Sequence, residues 1–171
     1  MDTKIVLGMI SFWEVKNHSD LEKIEIMAST IWHEHYTPII GKEQVLYMLD
    51  KFQSSGTMQD QIDKGYQYFM ISFESKNVGY LSFEKREKDL FLSKIYVLKE
   101  FRGKGIGKKA MKFVTEVAES LNCEKVSLTV NKFNFNSIKA YEKAGFVKKG
   151  ALVQDIGNGF VMDDYLMEKT I

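Results

Sequence analysis

The sequence predicts an α/β protein of the mixed (α+β) kind, with one central sheet of about six to seven strands and helices on both of its faces. Apolar residues recur at helical spacing in several segments, and short aromatic and β-branched runs of strand length lie between them. The patterns follow the order strand, two helices, three strands, helix, strand, helix, two strands. At 171 residues, the chain is expected to form a single domain over residues 1–171.

The first segments predict one strand followed by helices. A strand is predicted at "FWEVK", and Ser19 with Glu22 has the spacing of a capping box. The helix after it carries its apolar residues at Leu21, Ile24, Ala28, Ile31 and Trp32. Gly41 opens a second helical pattern that ends at "SSGT", and a short polar helix is predicted at "MQDQIDK".

The middle of the chain predicts three consecutive strands. The runs "YQYFMISFE", "NVGYLSFEK" and "DLFLSKIYV" are rich in aromatic and β-branched residues, and the turn-forming stretches "SKN" and "REKD" separate them. Such short connections favour an antiparallel meander. The first half of the sheet is therefore expected to be antiparallel.

The last third predicts a crossover and two closing strands. A helix is predicted from Gly105 to Leu121, followed by a strand at "KVSLTV" and a short helix at "NFNSIKAYEKA" that Asn134 caps and Gly145 ends. Two strands are predicted around "GFVKKGAL" and "GFVMDDYLMEK". Because a helix joins the fourth and fifth strands, these two strands are expected to be parallel.

Composition excludes several classes of partner and site. Lys and Arg number 24 against 23 Asp and Glu, so the formal charge of +1 argues against nucleic-acid and membrane partners. The lone Cys123 cannot form an internal disulfide and is expected to be a buried or idle thiol. The start, "MDTKIVLGMISFWEV", has no signal-peptide or membrane-span pattern, so a cytoplasmic protein is expected.

The segment "FRGKGIGKKA", residues 101–110, predicts an anion site. It joins a predicted strand to a predicted helix, and the N-terminus of a helix presents free N–H groups and a partial positive charge. Glycines there let an anion approach the main chain. Across residues 99–112 six basic side chains oppose Glu100 alone, a net of +5. A phosphate or pyrophosphate is the ligand that this combination favours.

Spacing excludes two common nucleotide motifs for this loop. In a P-loop, Arg102 would have to be the first glycine and Lys109 the magnesium-binding hydroxyl. The dinucleotide fingerprint needs Gly-x-Gly-x-x-Gly, whereas Gly103, Gly105 and Gly107 run Gly-x-Gly-x-Gly. The pattern that fits is Arg/Gln-x-x-Gly-x-Gly/Ala.

With Arg102, Gly105 and Gly107 in that pattern, "IYVLKEFRGKGIGKKAM" resembles the pyrophosphate-binding motif of the GNAT superfamily of acetyl-CoA-dependent N-acetyltransferases. A second stretch, "NFNSIKAYEKAGF", resembles the family's Asn-x-x-Ala/Ser-x-x-x-Tyr-Glu-Lys-x-Gly-Phe segment. The order of strands and helices also matches the GNAT fold from about residue 11 to the end. The resemblance therefore covers nearly the whole chain.

The resemblance implies a binding site for acetyl-CoA, without a metal. Main-chain groups of the loop would hold the pyrophosphate, and the end of the fourth strand would pair with the pantetheine arm. Asn134 would be both helix cap and cofactor neighbour. The implied residues are Ile95, Tyr96 and Val97 in the strand, Arg102, Gly103, Lys104, Gly105, Ile106, Gly107 and Lys108 in the loop, and Asn134.

The resemblance also implies how the acetyl group is transferred. A tyrosine placed like Tyr141 would protonate the departing thiolate; the alternative is that Tyr141 only packs beside Ile138. A backbone N–H near Val97 would polarise the carbonyl. Some members use a glutamate on the fourth strand as the base, but "LFLSKIYV" offers only Ser93 and Lys94.

The first two helices would form the acceptor wall, and their junction reads "IWHEHYTPI". One interpretation is a solvated helix end; the other is a pocket of Trp32, Glu34, His35 and Tyr36. In that pocket Glu34 would hold a cationic amine, and His35 or a water would take its proton. A metal pair of His33 and His35 is disfavoured, because residues two apart on a helix point in different directions. Asp163 and Asp164 would either bind the amine or cap a loop.

The resemblance therefore favours an N-acetyltransferase acting on a small polyamine-like amine or on a protein amine. The alternative is a non-catalytic acyl-CoA-binding module that senses or regulates. Tyr141 favours the enzyme, since a binding module does not need an acid at that position. Homodimers are common in the family, and no feature of this sequence decides that point.

Overall fold

The computed structural model of the protein describes residues 9–171, and these form seven strands and six α-helices. The first eight residues, the start of the segment inspected for a signal peptide, lie outside the described residues. The strands are β1 (Ile10–Glu14), β2 (Gln67–Phe73), β3 (Lys76–Arg86), β4 (Asp89–Val97), β5 (Lys125–Asn131), β6 (Val147–Gly157) and β7 (Phe160–Thr170). The helices are α1 (His18–His35), α2 (Thr37–Ile40), α3 (Lys42–Phe52), α4 (Ser55–Asp63), α5 (Ile106–Ser120) and α6 (Phe135–Lys143).

The strands form one mixed sheet in the order β1-β2-β3-β4-β5-β7-β6. The predicted parallel pairing of β4 with β5 is confirmed, with a register from Asp89↔Lys125 to Phe91↔Ser127. This ladder covers three of the nine residues of β4. The pairs β1–β2, β2–β3, β5–β7 and β6–β7 are antiparallel. The predicted mixed sheet is thus confirmed, with seven strands.

The described residues separate into two compact units. The first contains the residues up to Phe83 together with Lys94–Ala110, and the second contains Glu84–Ser93 and Met111–Ile171. The first unit contains β1, β2 and most of β3, the helices α1 to α4, the end of β4, and residues 101–110, which we call the glycine-lysine loop. Its most deeply buried apolar side chains include Leu21, Ile24, Val45, Met58, Met70, Ile71 and Leu81. These residues come from the helical and strand patterns that the sequence shows.

The second unit is built on β5, β6 and β7. Its buried side chains include Leu90, Val114, Val126, Phe146 and Met167. Gly145, with φ of 99°, ends α6 as predicted, and Asn122, with φ of 56°, follows α5. The hairpin between β6 and β7 turns through Gly157, Asn158 and Gly159, all with positive φ. Cys123 is buried, as expected of an idle thiol.

Helix starts differ from the prediction at two places. The capping box of Ser19 and Glu22 is wrong: α1 begins two residues earlier, and the side chain of Asn17 accepts the capping bond from the N–H of Asp20 at 2.9 Å. Asn and Ser are both strong caps, so the spacing alone could not choose between them. The short helix α2 was not predicted; Pro38 stands in its first turn, where proline is tolerated.

No helix within residues 9–171 combines the length and the apolar character that crossing a membrane requires.

Candidate functional site

The glycine-lysine loop follows β4 directly. After Val97 the chain makes one 3₁₀ turn at Lys99–Phe101 and reaches α5 through Gly103 and Gly105. These two glycines have φ of 76° and 78°, which a residue with a side chain adopts only with strain. The predicted strand-loop-helix context is therefore present.

The first turn of α5 presents main-chain donors. The first bond of the helix runs from the N–H of Lys109 to the carbonyl of Gly105 at 3.1 Å. The N–H groups of Ile106, Gly107 and Lys108 come before it, in the turn that has no intrahelical acceptors. A Cβ added at Gly103, Gly105 or Gly107 would meet nothing within 4 Å, so space is open beside each glycine. An anion can approach these donors closely.

The charge of the loop is not neutralised by nearby carboxylates. Within residues 9–171, Lys104, Lys108 and Lys109 form no ion pair, and each is exposed. The ion pair of this segment joins Lys112 to Glu116 further along α5, at 3.8 Å. The positive charge around the start of α5 thus remains available to a ligand.

Arg102 connects the loop back to the strand. Its Nε donates a hydrogen bond to the carbonyl of Val97 at 3.0 Å, while its side chain lies at the surface. The bond links the loop to the end of β4. Arg102 therefore shapes the loop as well as adding charge to it.

The end of β4 has its peptide groups in a defined orientation. The N–H of Leu98 donates to the carbonyl of Val78 in β3 at 2.8 Å. Because peptide groups point alternately to either side of a strand, the N–H and carbonyl of Val97 point away from β3. The bond from Arg102 to the Val97 carbonyl agrees with this. The N–H of Val97 is thus directed to the edge of β4 that does not face β3.

The helix α6 and its N-cap position hold two residues of the second motif. Asn134 is buried at the predicted N-cap position of α6, although its side chain does not form a capping bond to the first turn. Its carbonyl accepts from the N–H of Ile138 at 3.0 Å. Tyr141 is half-buried, with its ring centroid 5.8 Å from that of Phe146. Packing thus orients the ring of Tyr141.

Aromatic rings converge at the end of α1. Trp32 is buried, and its ring stacks on Tyr36 with centroids 4.3 Å apart. Tyr96 of β4 lies 5.8 Å from Trp32 and 6.4 Å from Tyr36, while His35 lies edge-on to Tyr36 at 4.8 Å. The structure thus brings together three of the predicted acceptor residues beside a residue of β4.

The other residues of the junction lie elsewhere on the helix. Glu34 is exposed, and two residues of helix place it on the face opposite the buried Trp32. His33 Nδ1 lies 2.8 Å from the carbonyl of Ser29 in the same helix. Among residues 9–171 no group of three or more His, Cys, Asp or Glu side chains is arranged to hold a metal ion.

Lys94 is a feature that the sequence analysis missed. Its ammonium group is buried and donates to the carbonyl of Phe52 at 2.7 Å, to Gln61 Oε1 at 3.2 Å and to the hydroxyl of Tyr68 at 2.5 Å. Burial lowers the pKa of Lys94 to about 7. All three N–H donors are used and all three acceptors are neutral. The signal was the alternation of "LFLSKIYV", which puts Lys94 on the same face as Leu90 and Leu92.

Asp163 and Asp164 both lie inside β7, paired in register with Val153 and Leu152 of β6. The predicted strand at this segment is confirmed, while amine binding by these two residues stays a prediction. Asp163 forms an ion pair with Lys132 at 2.7 Å. Asp164 is buried, and burial together with the neighbouring Asp163 raises its pKa to about 6.

The mixed sheet and the glycine-rich strand-loop-helix junction form an arrangement that suits a phosphate-containing ligand at the N-terminus of a helix. The sequence model of the Acetyltransferase (GNAT) family matches residues 28–146, and the chain belongs to this family.

Curated relatives match a shorter segment. The chain is similar to the "Probable spermine N(1)-acetyltransferase" of Bacillus subtilis subsp. natto (strain BEST195), at 31% identity over 64 residues, which are 37% of this chain and 42% of the relative. It is also similar to the "Thialysine N-epsilon-acetyltransferase" of Bos taurus, at 38% identity over 58 residues, 34% of either chain. The chain thus matches less than half the length of each relative.

Solved structures match nearly the whole fold. The PaiA N-acetyltransferase from Thermoplasma acidophilum, in complex with coenzyme A, has a TM-score of 0.80 at 19% identity, over 95% of this chain and 99% of the other. The spermidine N-acetyltransferase from Vibrio cholerae, in complex with CoA and spermine, has a TM-score of 0.69 at 19% identity, over 94% and 95%. These likenesses confirm the predicted fold.

Proposed function

We propose that this protein transfers an acetyl group from acetyl-CoA to a primary amine. The observation that carries the proposal is the start of α5, where three main-chain donors, open glycine faces and lysines free of carboxylates converge. Membership of the GNAT family supports acetyl-CoA as the donor. Relatives named for spermine and thialysine support a small polyamine-like amine or a lysine-like protein amine as the acceptor.

The donor site uses the loop and the end of β4. Main-chain groups of residues 102–108 hold the pyrophosphate. Gly103 shapes the loop where the pyrophosphate enters, and Lys104 adds positive charge there. The main chain of Ile95, Tyr96 and Val97 pairs with the pantetheine arm. The outward N–H of Val97 supports this, since it offers the thioester carbonyl a hydrogen bond. Asn134 completes the donor site in this proposal.

The transfer is a direct attack. The amine nitrogen attacks the thioester carbonyl carbon, the C–N bond forms, and the C–S bond breaks to leave a thiolate. The phenol of Tyr141 gives that thiolate a proton; phenols and thiols have ordinary pKa values near 10 and 8.5, close enough for this transfer. The nitrogen loses a proton as the amide forms, and that proton passes, directly or through water, to the Tyr141 phenolate and restores the phenol. The amine must arrive neutral, so its excess proton passes to His35 or to a water beside it.

The acceptor lies against the aromatic end of α1. Tyr36 and Tyr96 are half-buried and form a wall that His35 extends. Glu34 is exposed on the other face of α1, so it suits a more distant ammonium group of a long amine rather than the reacting nitrogen. Lys94 does not serve as the base, because all of its donors are bonded within the protein.

A non-catalytic acyl-CoA-binding module is the second candidate. The open glycine faces and free lysines of the loop favour it as strongly as they favour an enzyme, because both bind the cofactor. The half-buried Tyr141 favours the enzyme. One measurement tests both candidates, and a second one separates them.

Calorimetric titration with coenzyme A is the first measurement, and saturable binding by the folded chain is expected. An absence of binding would reject both candidates. The second is thiol release from acetyl-CoA with spermidine, thialysine and a lysine peptide. Release that depends on an amine supports the enzyme, whereas binding without release supports the module.

A further inference from the structure

Gly79 of β3 lies against the end of β4 with no space for a side chain. An ideal Cβ at this buried glycine would lie 2.3 Å from the carbonyl oxygen of Tyr96 and 3.2 Å from the Cα of Val97. Both atoms belong to main chain, which cannot rotate away as a side chain can. At Gly145, by contrast, the nearest atom is a flexible lysine carbon at 3.4 Å.

The strands around Gly79 are adapted to this close approach. The register between β2 and β3 shifts between Ile71 and Ser72: Ile71 pairs with Gly79, Ser72 pairs with Asn77, and Val78 is left over. Such an extra residue bends a strand locally. The carbonyl of Val78 receives the N–H of Leu98, so the bent part of β3 is the part that holds the end of β4.

We infer that Gly79 is a positioning residue, which sets the place of the Val97 N–H that hydrogen-bonds to the thioester carbonyl. The inference rests on the proposed function, because it requires that acetyl-CoA binds along the end of β4. Gly79 does not touch the substrate in this account. It acts through the peptide between Tyr96 and Val97, whose carbonyl faces β3 while the next N–H faces the opposite edge.

The clash that an added methyl group would make at Gly79 sets the size of the expected displacement. Real Cβ contacts essentially never fall below 3.0 Å, so the carbonyl of Tyr96 and the Cβ must separate by at least 0.7 Å. The N–H of Val97 belongs to the same planar peptide group as the Tyr96 carbonyl, so it moves with that carbonyl. A displacement of about 1 Å at a reacting group costs about a hundredfold in rate, and loss of one oxyanion donor costs about a hundredfold to a thousandfold.

The test compares Gly79→Ala with Val45→Ala, a control that removes buried side chain from α3 of the same unit. Both variants are expected to melt at lower temperature than the wild type. Gly79→Ala is expected to lower kcat by about tenfold to a hundredfold and to leave the Kd for free coenzyme A, which has no acetyl carbonyl, within about threefold. Val45→Ala is expected to keep kcat within about threefold at a temperature where it is folded.

Two outcomes would overturn the inference: an unchanged kcat in Gly79→Ala, or a loss of kcat in both variants that follows their melting temperatures. Failure of the proposed function is distinguishable, since then the wild type itself would transfer no acetyl group. If Gly79→Ala does not fold, the test is the NMR chemical shift of the Val97 amide in the wild-type chain. This resonance should move further when a non-reactive ketone analogue of acetyl-CoA is added than when coenzyme A is added. Equal changes with the two ligands would overturn the inference.

Discussion

Replacing Gly105 by alanine separates the requirement of the fold from the requirement of the ligand. Gly105 has φ of 78°, and a Cβ there meets nothing within 4 Å, so the cost to folding is backbone strain alone. That strain is about 1–2 kcal/mol for an L-residue in the left-handed region. For a chain of this size it lowers the melting temperature by about 2–8 °C.

Gly159 provides the matched control. It lies in the turn between β6 and β7 with the same φ of 78° and the same open space, so Gly159→Ala should cost the same in melting temperature. Only Gly105 lies where the pyrophosphate is proposed to bind. Loss of one hydrogen bond to a charged group is worth about 1.5–3 kcal/mol, which weakens the affinity of Gly105→Ala for coenzyme A by about 10- to 150-fold.

The assay is calorimetric titration with coenzyme A at a temperature well below both melting transitions. Gly159→Ala should keep the wild-type Kd within about twofold, a difference of less than 0.5 kcal/mol. Wild-type affinity for coenzyme A in both variants would refute the placement of the pyrophosphate at the start of α5. An equal loss of affinity in both variants would show that affinity depends on the stability of the fold and not on the glycine-lysine loop in particular.

Three further predictions concern titratable groups. Lys94 has a pKa of about 7 in the folded chain against an ordinary 10.5, so the unfolded chain binds more protons between pH 7 and 10, and the free energy of unfolding should rise with pH there by up to about 1.4 kcal/mol per unit. Urea titrations should show that Lys94→Met removes this slope, and an identical slope in the variant would contradict the assignment. The raised pKa of Asp164, about 6, acts in the opposite direction: its contribution to stability is present below pH 4 and is lost as pH rises through 6. Asp164→Asn should therefore have a higher urea midpoint of unfolding than the wild type at pH 7 but not at pH 4. Equal midpoints at pH 7 would contradict the raised pKa of Asp164. Tyr141→Phe should lower kcat at least about tenfold with little change in the Kd for coenzyme A, and an unchanged kcat would remove Tyr141 from the acid role.

Periodicity predicted most of the fold because each element carries its own pattern. The three runs that became β2, β3 and β4 are aromatic and β-branched, and their turns are polar. The parallel pairing of β4 with β5 followed from the helix between them. Helix starts were harder, since Asn17 and Ser19 are both good caps and the structure uses Asn17.

The features that the sequence could not predict depend on distant parts of the chain. The alternation of β4 places Lys94 on the face of Leu90 and Leu92, but the acceptors of its ammonium group come from Phe52, Gln61 and Tyr68, far away in the sequence. Gly79 reads as a weak strand residue until the main chain of Tyr96 is placed beside it. Long-range packing creates both roles, whereas the glycine-lysine loop carries its signal within ten residues.

Transfer of an isotopically labelled acetyl group tests the central proposal most directly. The folded chain is incubated with labelled acetyl-CoA and with spermidine, thialysine or a lysine peptide, and mass spectrometry follows the amine. Labelled N-acetyl product is expected from at least one amine, formed at a rate that saturates with acetyl-CoA and falls in Tyr141→Phe. Saturable coenzyme A binding with no labelled product from any amine would contradict it and would leave the non-catalytic module.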